Sequence, residues 1–278
     1  MLKEAFFMED RENQMRGILL ALSKKEKGDW PSIYSDIRNK EPVSQKELEE
    51  AYQKTASKFV TLIDEDYPSG LKQLDKPPFL LYYYGNFSLL REKYRLTVVG
   101  TRAPTLYQNN TTYEFVKSLE EKTENRTVII SGMAKGIDSS AMTAAMEMKA
   151  PVVAVLGSGI DAPYPKNNSG IYDYCKSGNG LVLSEYPLKT QALPDHFVFR
   201  NRILAALSMV VFVGGGRRYS GTTATVRHAL DLNDDILALP CNVTGADLTN
   251  ELIRDGAGSV LSPEDLHEAL KSRYDSLK

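Results

Sequence analysis

The sequence predicts an α/β fold: a Rossmann-like parallel sheet with helices on both faces, preceded by a small helical N-terminal domain. Three observations predict it. Six short β-branched runs, "RLTVVG", "RTVIISG", "PVVAVLG", "GLVLSE", "MVVFVGGG" and "DDILALP", alternate with helical stretches such as "TTYEFVKSLEEK", "DSSAMTAAMEMK" and "TATVRHALDL". That is the pattern of parallel strands buried on both faces. Several runs end directly in glycine, and in open α/β sheets ligands bind outside the carboxyl ends of the strands. Ahead of them, about sixty residues carry apolar positions at helical spacing and no motif with evident chemistry.

The N-terminal helices come first. "MRGILLALSKK" has helical spacing, Trp30-Pro31 marks a break, and Ser44 with Glu47 three residues on is a capping-box start for "SQKELEEAYQKTASKF". From Phe59 the texture changes to β-rich runs, a Pro-Pro pair and a Gly-Asn turn, "FVTLIDEDYPSGLKQLDKPPFLLYYYGN". The expected domains are therefore 1–58, helical, and 59–278, the sheet. With 278 residues and 42% hydrophobic content, the chain suffices for one large domain and a small appendage.

Composition narrows the function classes. Cys175 and Cys241 lie far apart, with no CxxC spacing and no histidine cluster to complete a zinc site. A reduced, cytoplasmic protein without metal or cofactor is expected. The N-terminal apolar run is too short for a signal peptide, and no segment approaches the roughly 20 apolar residues of a membrane span. The formal net charge is −2, yet between Tyr186 and Leu230 six basic side chains, Lys189, Arg200, Arg202, Arg217, Arg218 and Arg227, face only Asp195. A basic zone is set into an acidic body, either a solvated face or the footprint of an anionic partner.

Five loops follow the strands. In "VVGTRAPTLY", Gly100 turns the chain and Arg102 offers a permanently charged donor fork suited to phosphate. In "ISGMAKGIDSSAM", Gly132 and Gly136 bracket Lys135, and Asp138 or Ser139 is placed to cap the next helix, whose amides would receive an anion. The spacing matches neither GxxxxGK[ST] nor GxGxxG, which disfavours ATP hydrolysis. "VLGSGIDAPYPKNN" pairs Tyr164 with Lys166, an aromatic beside a cation, the combination that stacks a base and holds its phosphate; loop packing is the alternative. "HFVFRNRILAALS" puts Arg200 and Arg202 around Asn201, either aimed at the same edge or pinning loops through carbonyl hydrogen bonds. "VFVGGGRRYSGTTATV" follows three glycines with Arg217, Arg218 and a hydroxyl-rich helix start at Ser220, an expected anion nest.

Catalytic signals are scarce. His196, His228 and His267 accompany no nucleophile elbow, HExxH or paired-carboxylate motif. Glu185 is either a general acid or base or, more plainly, a carboxylate satisfying buried loop amides. A non-enzymatic binding protein is expected.

The ordered motifs "VVGTR", "SGMAKGID", "AVLGSGIDAPYPKNN", "LSEYP", "FRNRILAALS", "SGTTAT" and "NELIRDGA", with the lead-in "DEDYPSGLKQLDKPPFLLYYYGN", resemble the DNA-processing protein A family, also called Smf. The resemblance covers roughly residues 60 to 262. It implies a bacterial cytoplasmic protein that binds single-stranded DNA, protects incoming strands in natural transformation and loads the recombinase RecA. It implies DNA contact by Arg102 and Lys166, with Arg200 and Arg202 in the same pocket region. It further implies a homodimer formed through the C-terminal side, here including Leu248, Leu252, Ile253, Leu261 and Leu266. Many family members carry a C-terminal winged helix; with about 15 residues after the family core, none is expected here. The expected DNA-binding set is Arg102, Lys166, Arg200, Arg202, Lys135, Tyr164, Arg217 and Ser220, with Leu252 and Ile253 at the dimer interface. The chain departs from the family at Val213-Gly214-Gly215-Gly216, where an acidic residue is usual, at Val198 in place of proline, and at Cys241 in place of glycine. "GGGRRYSGTT" is also similar to a related superfamily that includes phosphoribohydrolases, so a nucleotide-binding sensor or enzyme is the rival expectation.

Overall fold

The computed structural model describes residues 2–124, 126–243 and 248–276. Three helices lead: α1 (Leu2–Lys25), α2 (Trp30–Asn39) and α3 (Gln45–Gln53). Asp29 caps α2, its carboxylate accepting from the Ser32 amide at 3.0 Å, and Pro31 sits in the first turn where no amide is needed. The capping box at α3 forms as the spacing predicts, with the Glu47 amide donating to Ser44 Oγ and the Ser44 amide donating to Glu47 Oε2 at 2.7 Å.

The sheet has nine strands, β1 (Lys58–Thr61), β2 (Leu80–Gly85), β3 (Tyr94–Val99), β4 (Thr127–Ser131), β5 (Val152–Leu156), β6 (Gly180–Ser184), β7 (Val210–Val213), β8 (Asp235–Ala238) and β9 (Gly258–Ser259). Their order is β1-β2-β6-β5-β4-β3-β7-β8-β9. From β6 to β9 every pairing is parallel, while β1 and β2 form an antiparallel pair that joins β6 antiparallel. All six predicted runs are strands of the parallel part. The helices between them are α4 (Leu106–Lys122), α5 (Ile137–Glu147), α6 (Ser169–Tyr174), α7 (Pro194–Ala206), α8 (Gly221–Asp231), α9 (Leu248–Arg254) and α10 (Pro263–Ser276).

Period-two alternation sorts the strand side chains into two cores. On one face Leu96, Val98, Ile129, Val152 and Ala154 pack with Val116, Leu119, Ile137 and Leu266, and with Leu20, Ala21 and Ala51 of the N-terminal helices. On the other, Val99, Val128, Ile130, Val153, Val155 and Val211 pack with Ile203, Leu204 and Val226. The N-terminal helices thus bury their apolar side on the sheet's own core. Trp30 stacks on Phe79 at 5.1 Å and donates through Nε1 to the Pro77 carbonyl at 2.8 Å, and the Tyr82 hydroxyl donates to Ser23 Oγ at 3.1 Å.

β3 lies between β4 and β7, so the chain leaves β3 toward one half of the sheet and later crosses to the other. That is a topological switch point, and the crevice between the diverging loops lies at the carboxyl ends of β3 and β7.

Candidate functional site

A cavity of about 610 Å³ occupies the switch point. Its walls are the loop after β3, the start of α5, the loop holding Tyr164, the first turns of α7 and the start of α8. α7 contributes the apolar wall, Pro194, Phe197 and Val198, and α8 contributes hydroxyls.

Four of the expected residues gather on neighbouring loops around its mouth. The Arg102 side chain is exposed and lays its guanidinium over the Phe197 ring, 5.4 Å from the centroid. Tyr164, half exposed, meets the same ring from another side at 5.5 Å. Lys166 opens a short 3-10 turn, Lys166–Asn168, and is exposed. The Asn168 amide group donates to the carbonyls of Met133 at 2.9 Å and Ala134 at 3.2 Å, which moors this turn to the loop bearing the exposed Lys135. Phe197 and Asn168 were missed by sequence reasoning. Phe197, three residues before Arg200 in "HFVFRNR", gave some signal, although the polar group Arg200-Asn201-Arg202 lies inside α7, which begins at Pro194; the mooring role of Asn168 is non-local and gave none.

Across the cavity, Arg217 is exposed, whereas Arg218 pairs with Glu251. Tyr219, 96% exposed, holds a positive φ of 55° at the tip between them and α8. A capping box spans Ser220 and Thr223 at the start of α8: the Ser220 side chain faces the Thr223 amide, which donates to the Ser220 carbonyl at 3.1 Å, and the Ser220 amide donates to Thr223 Oγ1 at 3.4 Å.

Two expected contacts are corrected. Arg202 is 3% exposed and fully engaged inside the protein. It grips both oxygens of Glu185, at 2.6 and 2.8 Å, and donates to the carbonyls of Lys76 and Phe199. Glu185 therefore answers a guanidinium rather than loop amides, with burial pushing its carboxyl up and Arg202 pulling it back. Arg200 is equally buried. It donates to the carbonyls of Gly132 and Val155 and to Asn201 Oδ1, pinning three elements together. Burial lowers its pKa to about 10, opposed by the nearby Asp138 and reinforced by Arg102. It stays charged at neutral pH and lines the cavity as a fixed positive field rather than a reaching hand.

The glycine turns are also corrected. The opening at Gly157 admits Phe197, and a Cβ at Gly132 would collide with the Arg200 guanidinium. Both strand ends are closed by the chain's own side chains. The expected nest at α5 is filled too: Asp138 Oδ2 accepts from the amides of Gly132 and Ala134 at 3.2 and 3.3 Å, and the helix is capped by Gly136 rather than by Asp138 or Ser139. Gly221 differs, since a Cβ there would meet only Asn201 Nδ2, at 3.8 Å.

Elsewhere, Leu248 and Leu266 are core residues, Leu252 and Ile253 are half-buried against the second core, and Leu261 is 75% exposed. Among the described residues no three His, Cys, Asp or Glu side chains come together to hold a metal ion, and no helix is long and apolar enough to cross a membrane.

Comparison with known proteins agrees with this architecture. The chain is 36% identical over 221 residues to DNA processing protein DprA of Streptococcus pneumoniae, covering 79% of this chain and 76% of that one. It is 31% identical over 227 residues to DprA of Bacillus subtilis, covering 80% and 74%. The crystal structure of the S. pneumoniae protein superposes with a TM-score of 0.74 over 86% of this chain and 81% of that one, at 33% identity. A DNA processing protein A from Helicobacter pylori, described for its single-stranded DNA binding mode, superposes with a TM-score of 0.69 over 78% and 98%, at 30% identity. Residues 58–271 match the family described as DNA recombination-mediator protein A, and the chain belongs to that family.

Proposed function

We propose that the chain binds single-stranded DNA along the carboxyl edge of the sheet, without catalysing a reaction, and passes the coated strand to the recombinase RecA. The observation that carries this reading is the grouping of exposed Arg102, Lys135, Lys166 and Tyr164 on loops tied together by Asn168 and Phe197. Cations track phosphates, and an exposed ring stacks on unpaired bases whatever their identity. Arg217 and Ser220 extend the path across the cavity. The H. pylori relative described as binding single strands supports it.

The setting is bacterial and cytoplasmic, with incoming strands protected during transformation. The working unit is a homodimer engaging one strand bivalently, with Leu252, Ile253 and the exposed Leu261 on the pairing side. The family match beginning at residue 58 supports a domain boundary there, with the helices of 1–58 as a cap that leaves the strand-binding edge open.

A phosphoribohydrolase-like reaction is less well supported. The carboxylate among the cavity-lining residues is Asp138, which is already committed to two loop amides and lies in the field of Arg200.

Titration of labelled single-stranded and duplex oligonucleotides at several salt concentrations tests the proposal. Preference for the single strand is expected, with log K falling against log[salt] by about 0.7 per neutralised phosphate. Equal affinity for duplex, or no salt dependence, contradicts it.

A further inference from the structure

β1 is the outermost strand of the sheet and pairs on one side only, with β2. An edge strand presents unpaired backbone groups to any extended chain, so natural proteins keep such edges short or cover them. This edge is short, Lys58–Thr61, and a cavity of about 500 Å³ runs beside it, lined also by Glu12, Asn13 and Arg16 of α1. In an antiparallel pair, alternate residues turn both backbone groups toward the partner. The Leu62 amide donates to the Phe79 carbonyl on the β2 side, so Phe59 and Thr61 turn outward. The Thr61 amide is answered by Asp64 Oδ2 at 3.0 Å. Phe59 is left with its amide and carbonyl toward the cavity.

The cavity has an aromatic floor and an acidic rim. The Tyr83 and Phe87 rings stand 4.6 Å apart, near the exposed Ile63. Glu12, Asp64, Glu65 and Asp66 line the cavity with Arg16 as its lone cation. Asp66 is paired with Arg91, whereas Glu12 and Glu65 are exposed and have no ion pair among the described residues. The chain itself shows which side chain such a surface takes. The Arg16 guanidinium lies over the Phe59 ring, 5.5 Å from its centroid, with Nε 3.2 Å from Asp64 Oδ1. Phe59 packs on the α1 face of the sheet, and Val60, Tyr83 and Phe87 on the other. Successive side chains of an added strand would therefore meet different surfaces, cations beside Glu12 and Asp64 and apolar groups at Tyr83 and Phe87.

We propose that this lateral edge docks a partner protein through an extended segment of alternating basic and apolar residues, laid beside β1 with its backbone on Phe59. Strand addition draws affinity from main-chain hydrogen bonds and selectivity from alternate side chains. The four carboxylates turn away an acidic segment. The edge is also clear of the switch-point cavity: β1 stands five places from β3 in the sheet order, about 24 Å at the spacing of neighbouring strands.

Fluorescence anisotropy on the full chain tests this with a fluorescein-labelled octapeptide of alternating lysine and valine. The lysine-valine peptide is expected to bind, and a glutamate-valine peptide to bind at least tenfold more weakly. The lysine-valine peptide methylated on its backbone nitrogens is expected to lose at least tenfold as well, which attachment by charge alone would not produce. Glu12→Lys with Glu65→Lys, at exposed positions where the melting curve should not move, is expected to weaken the unmethylated peptide at least tenfold. No binding by that peptide, equal affinity for its methylated form, or wild-type affinity in the double variant overturns the proposal. If the peptide does not bind and the double variant changes the chain's mass by light scattering, the edge belongs to a second copy and the proposal likewise falls.

Discussion

Two helix starts flank the crevice, and they are built alike and used differently. At α5 the glycine loop's amides are taken by the chain's own Asp138, backed by Arg200; at α8 Ser220, Gly221, Thr222 and Thr225 line the cavity. The same contrast separates the arginines. Arg202 spends its donors on Glu185 and backbone carbonyls, whereas Arg102 stands exposed over an aromatic ring. A glycine turn or an arginine therefore carries no function by its type. What matters is whether the chain itself already answers its hydrogen bonds.

The closed side should answer to stability assays and the open side to binding assays. The largest effect belongs to Arg202→Leu, which leaves Glu185 buried without its guanidinium; breaking such a pair costs about 3–5 kcal/mol. Urea denaturation should register that loss, and the folded fraction should keep the wild-type salt slope on oligonucleotides. A slope reduced by about one unit would return Arg202 to the DNA path. Next comes Asp138→Ala, which orphans two loop amides and removes the counter-charge of Arg200, at about 1–3 kcal/mol. If the two helix starts differ only in occupancy, added sulfate should raise the melting temperature of this variant more than that of the wild type, by mass action on the vacated seat.

A smaller effect in free energy, and the larger one for function, is expected on the open side. Arg102→Ala with Lys166→Ala should weaken single strands about tenfold, or roughly 1.4 kcal/mol, and flatten the salt slope by about one unit or more. Both side chains are exposed, so the denaturation midpoint should scarcely move. A double variant that unfolds more easily but binds as before would reverse the assignment of the two sides.

These pairings explain what the sequence made legible. The six parallel strands are readable because strands buried on both faces are nearly continuous runs of Val, Ile and Leu. β9 is not, since two residues, Gly258 and Ser259, carry no pattern, and the antiparallel joining of β2 to β6 depends on a pairing about a hundred residues apart in the chain. Exposed Arg102 and Lys166 are recognisable through the motifs that hold them. The inward turn of Arg202 is invisible locally because its partner, Glu185, lies 17 residues earlier on another element. Glycine behaved similarly, for the sequence announces a close approach at Gly157 and Gly132 without saying that Phe197 and Arg200 make it.

Photocrosslinking tests most directly which side meets the strand. A single-stranded oligonucleotide carrying 4-thiothymidine would be irradiated on the full chain and the attached peptides mapped by mass spectrometry. Crosslinks should concentrate in the loops containing Arg102, Lys135, Tyr164 with Lys166, and Arg217 with Tyr219. Attachment concentrated instead on α2, α3 or α10, with those loops unlabelled, would contradict the assignment of the carboxyl edge as the DNA-binding surface.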